Sequence, residues 1–97
     1  MREQIHIATY DSIPTDLAAE MRTWPEFLSG EGYVVKLRDE KTSDDVSVWM
    51  SDDPADFPTV IVEGRPRTSL FDKVVGRVIQ ALAEHSDDLR VCRRTAR

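Results

Sequence analysis

An unbroken row of three β-branched apolar residues, Val60, Ile61 and Val62, followed by an amphipathic helical stripe, constrains this chain more than any other feature. A continuous apolar run this short suits a strand buried in the middle of a sheet, so residues 59–63 are expected to form one. Gly64 and Pro66 then turn the chain. Leu70, Val74, Val78 and Leu82 recur at helical spacing, and Phe71, Val75 and Ile79 widen the stripe into a face able to cover that sheet. Thr68 or Ser69 stands where an N-cap is needed. Gly76 lies inside this helix at a cost of about 1 kcal/mol relative to Ala, which points either to close backbone packing or to simple tolerance.

The rest of the chain is read against that pair. Residues 4–10 alternate Ile5, Ile7 and Thr9 with His6, Ala8 and Tyr10, the period of a strand whose two faces see different surroundings. The segment DSIPTD supplies helix-start chemistry, with Ser12 or Thr15 as N-cap and Pro14 in the first turn. Leu17, Met21, Trp24 and Leu28 continue at helical spacing. Pro25 would clash with the carbonyl of Met21, and Thr23 and Glu26 have capping-box spacing. Either a helix to about Arg22 with a new turn over 23–29, or one kinked helix, is therefore expected. Residues 33–38 alternate as a second strand, placed parallel to the first because a helix intervenes. Residues 46–50 are weighed as strand, favoured on β-branched content, against a short helix capped by Ser43.

These elements predict a small two-layer α/β sandwich with a mixed sheet, in the order β-α-β-(β or short α)-β-α. At 97 residues only one core is expected. The domain is placed at 1–85, and 86–97 is treated as a polar, Arg-rich tail in which Leu89 to Val91 offer at most a short edge strand. The net charge of −5 hides an asymmetry. Residues 1–64 carry five Lys/Arg against fourteen Asp/Glu, whereas residues 65–97 carry eight against four. Repulsion opposes general phosphate-backbone binding by the body, while the tail remains suited to an anion. The first ten residues lack the apolar run of a signal peptide, and no stretch approaches a membrane span, so a cytoplasmic location without membrane contact is expected. Cys92 is the only cysteine, which leaves no internal disulfide and no CxxC pair.

Catalytic and metal chemistry find little purchase. Asp52, Asp56 and Glu63 match three ligand positions of a calcium loop, but Pro54 brings no side-chain oxygen to another and Phe57 stands where the loop needs glycine. His85 and Cys92 lie seven apart across a helix end with nothing to orient the imidazole, and His6 sits inside an apolar strand. No catalytic residue, metal or cofactor is therefore assigned. The seven acids and single base, Lys41, of residues 39–56 form a concentrated acidic segment around Trp49. Arg90, Arg93, Arg94 and Arg97 form the cationic counterpart, without the interleaved aromatics that base stacking uses.

The segment Phe57-Pro58-Thr59-Val60-Ile61-Val62-Glu63-Gly64 resembles the thioredoxin and glutaredoxin pattern, in which a proline, usually cis, precedes a central strand. The resemblance sets Ser12 and Thr15 at the two cysteine positions of the family's CxPC turn, with Pro14 between them, and makes residues 46–50 helical. With both cysteines replaced, it implies a redox-inactive member serving as a binding module. The expected function is accordingly a non-catalytic binding or regulatory module acting through protein contacts. The residues expected to contact the partner are Asp44, Asp45, Trp49, Asp52, Asp53, Asp56, Arg90, Arg93 and Arg94. Body-to-tail self-association is compatible with this polarity. Two alternatives stand beside it. One is a nucleic-acid-system protein, using the arginines on phosphate or presenting acids 39–56 to a DNA-binding protein. The other is an anion-binding enzyme using Ser12 and Thr15.

Overall fold

The computed structural model describes residues 2–10, 13, 16–31, 34–51 and 57–96. Among these residues six strands and two helices follow the order β1 (Arg2–Thr9), α1 (Leu17–Met21), β2 (Phe27–Glu31), β3 (Val34–Arg38), β4 (Asp45–Ser51), β5 (Thr59–Gly64), α2 (Ser69–Ala83) and β6 (Leu89–Ala96). The strands form one sheet in the order β2-β3-β4-β5-β1-β6, and every pairing in it is antiparallel.

Alternation sorts the strands into two faces. Ile5, Ile7, Val35, Leu37, Val46, Val48, Val60 and Val62 point to one side, where Leu70, Phe71, Val74, Val78 and Leu82 of α2 and Leu17 and Met21 of α1 close over them. All are nearly or fully removed from solvent, so hydrophobic burial on this side supplies the main stabilising term. Thr68 caps α2, its hydroxyl accepting from Phe71 N and donating to Arg65 O at 2.8 Å. Arg77 holds the far side of α2 to the β2 entry through Glu26 at 2.9 Å and lies 5.1 Å from the Trp24 ring centroid. No helix among the described residues is long and apolar enough to cross a membrane.

The expected mixed α/β sandwich is corrected to an antiparallel sheet with helices on one side. The error begins at residues 23–29. Thr23 and Glu26 do not form a capping box: Thr23 Oγ1 donates backwards to Glu20 O, closing the end of α1, and Glu26 is taken by Arg77. With α1 only five residues long, the chain turns at once into β2, which returns as a hairpin onto β3. Hence β3 is not a parallel neighbour of β1; β5 and β6 flank β1 instead. Residues 46–50 are strand, not the helix that the resemblance implied, and the peptide bond before Pro58 is trans. The segment expected to be tail holds an eight-residue edge strand whose pairing runs the whole length of β1, from Arg2 opposite Ala96 to Thr9 opposite Leu89.

Gly76 resolves in favour of tolerance, since a Cβ there would meet no atom within 4 Å. Gly76→Ala is therefore expected to stabilise the protein by about 1 kcal/mol, because it removes backbone entropy from the unfolded chain without a steric cost. A thermal melt should rise by about 4 °C. An unchanged or lowered melting temperature would show that the helix needs the glycine.

Candidate functional site

The second face of the sheet carries no helix among the described residues. In cross-strand register it presents rows of side chains that the core does not use: Cys92, His6, Ile61, Trp49 and Val34 in one, Arg94, Gln4, Glu63, Ser47 and Lys36 in the next. Arg90, Ala8, Thr59 and Ser51 form a third. Ile61 is only 8 % exposed yet belongs outside the core cluster, because it lies between His6 and Trp49 in its row. Val34, 41 % exposed, extends this apolar centre toward β2.

A polar chain crosses the same face. Arg2 reaches Asp45 Oδ1 at 3.3 Å and Glu63 Oε2 at 3.6 Å, pairing with both acids. Gln4 Nε2 donates to Glu63 Oε1 at 3.0 Å, which fixes the amide so that Oε1 accepts from His6 Nε2 at 2.9 Å. His6 thus carries its proton on Nε2 and keeps a lone pair on Nδ1. Burial, and then the positive charge of Arg94, lower the His6 pKa from its ordinary value, so the imidazole is neutral near pH 7.

At the corner where β1 and β5 meet the chain ends of the sheet, Tyr10 and Phe57 pack edge to face with centroids 4.4 Å apart, and the Arg90 guanidinium lies 5.5 Å from the Tyr10 centroid. Both rings stay accessible, Tyr10 at 43 % and Phe57 at 51 %. A depression of about 240 Å³ opens beside them, bordered by His6, Phe57, Ile61, Arg90, Cys92 and Arg94. Cys92 stands opposite His6 in the register, whereas sequence spacing had directed attention to His85.

The residues singled out from sequence separate in three dimensions. Arg90 and Arg94 share the uncovered face, but Arg93 alternates to the helix side and pairs with Glu3 at 3.5 Å. There it borders a larger cleft of about 580 Å³ with Arg65, Arg67 and Asp72 beside the start of α2. Asp44 pairs with Arg65 at 3.6 Å and Asp45 with Arg2, so these two acids serve the protein's own cations. Trp49 sits at the centre of the uncovered face, half-buried. Asp52, Asp53, Asp56, Ser12 and Thr15 lie outside the described residues. Among the described residues no group of three His, Cys, Asp or Glu is placed to hold a metal ion.

Sequence reasoning missed His6, Tyr10 and Phe57 as neighbours of the arginines. The signal for His6 and Tyr10 lies in the outward half of the alternation over residues 4–10, but its meaning depends on β6 lying next to β1. No protein-family model, curated protein or solved structure matches the chain.

Proposed function

We propose that this protein is a small non-catalytic binding module whose working surface is the uncovered face of its sheet. One observation carries this reading: the face combines apolar and aromatic side chains, Val34, Trp49, Tyr10 and Phe57, with cations that lack an acidic partner among the described residues. Asp45 and Glu63, two acids of this face, are both held by Arg2. A monomer gains nothing in its own core from Trp49 or Phe57 placed this way, and such amphipathic side chains are the ones that anchor interfaces.

The test compares tagged wild-type protein with a face variant, Lys36→Glu with Trp49→Ala, and with Lys73→Glu on the exposed side of α2. Material captured from lysate of the source cells should be retained by wild type and by Lys73→Glu. The face variant should lose it about tenfold or more, the usual scale for removing an aromatic anchor. Equal retention by all three proteins would sink the assignment of this face.

A further inference from the structure

Resting on that reading, we infer that the uncovered face takes single-stranded nucleic acid at the corner built by Tyr10, Phe57, Arg90 and Arg94. The charge argument comes first. The chain is net acidic, at −5, yet the described side chains of this face leave Arg90, Arg94, Lys36 and Arg38 without a carboxylate within ion-pair distance. A second copy of the chain would bring the same cations against them, so like charge disfavours self-docking through this face.

The aromatic argument selects among anionic partners. Arg90 and Arg94 lie four residues apart on one strand, roughly 13 Å at the rise of a strand, and both flank the depression beside Phe57. Cations that track a backbone, with an exposed ring on which a base stacks, are what unpaired nucleic acid needs. An acidic protein segment supplies the charge but no π-face for the exposed rings. A duplex hides its base faces from the exposed rings, whereas an unpaired strand presents them. The fold thereby supplies the aromatics that the linear order of residues 90–97 lacks, because Tyr10 directly follows β1 and Phe57 stands two residues ahead of β5.

Fluorescence anisotropy of a labelled oligothymidylate with the full chain tests this. Wild type should bind, and affinity should fall roughly sevenfold between 50 and 200 mM salt, as about two phosphate contacts to a single strand require. Phe57→Ala should weaken binding about tenfold, the scale of losing one stacked base. Arg90→Ala with Arg94→Ala should abolish the salt dependence and most of the binding. Arg93→Ala, on the same strand but the opposite face, should leave the affinity unchanged. Circular dichroism melts should show each variant folded, since the substituted positions are exposed.

Three results would overturn the inference: no binding up to about 100 µM, the weak end of non-specific association; an equal loss in Arg93→Ala; or polyglutamate competing as well as the oligonucleotide with Phe57→Ala neutral. Should the oligonucleotide fail while lysate capture still depends on Lys36 and Trp49, the binding-module reading survives and the partner is an acidic protein. Should both fail, both fall.

Discussion

Deleting residues 86–97 is expected to cost at least about 3 kcal/mol, a large share of what a domain this size possesses. The stretch looks dispensable in sequence because it is polar and Arg-rich, and residues 91–95 are indeed exposed. Its removal nevertheless strips β1 of one of its two neighbours and leaves the flank of Ile5 and Ile7 open to water. Leu89, packed against the core, and the buried Thr9–Ser86 hydrogen bond at 2.9 Å are lost with it. Partial burial of one leucine and one buried hydrogen bond contribute about 1 kcal/mol each, and the ladder to β1 supplies the rest. Urea unfolding followed by the fluorescence of Trp24 and Trp49 should show the midpoint falling by roughly 1.5 M or more. A midpoint within about 0.3 M of wild type would mean that β6 is an appendage after all.

Gly64→Val is expected to be comparably damaging, at about 4 kcal/mol, with Gly64→Ala near 2 kcal/mol. A Cβ at Gly64 would lie 2.7 Å from Phe71 Cδ1 and 3.0 Å from Val46 Cγ2. Neither neighbour has room to retreat, since Phe71 is 3 % and Val46 1 % exposed. The glycine exists to let the first turn of α2 lie against the end of β5. If that is correct, Phe71→Leu should partly rescue Gly64→Ala, and the two changes together should cost less than the sum of their separate costs. Strict additivity in a double-mutant cycle would show that the clash is not the cause.

Local chemistry and topology were unequally legible. Hydrophobic period placed β1, β3, β5 and α2, and the Thr68 cap was among the candidates, because these depend on neighbours within one turn or one strand. What failed depended on partners far along the chain. Glu26 completes a capping box on paper, but Arg77, fifty-one residues later, binds it instead. The direction of β3 was inferred from the element before it, whereas the sheet order is set by which strands share apolar faces. The site suffered most from this: the tail arginines were visible as a charge cluster, yet strand alternation divides them between two faces and brings in rings from elsewhere. Trp49 was noticed for its acidic flanks, and its position rests on Ile61 and Val34 across the sheet.

The place of β1 between β5 and β6 has a consequence during synthesis. Of the six strands β1 is made first, yet it has no sheet partner until residues 59–64 appear, and its second partner, residues 89–96, follows later still. Strands β2 to β5 can pair by successive hairpins as they emerge, but β1 stays unpaired, with Ile5 and Ile7 uncovered, until β5 has been made. Contacts this distant in sequence close slowly, so seating β6 on β1 is expected to be the late step of sheet formation.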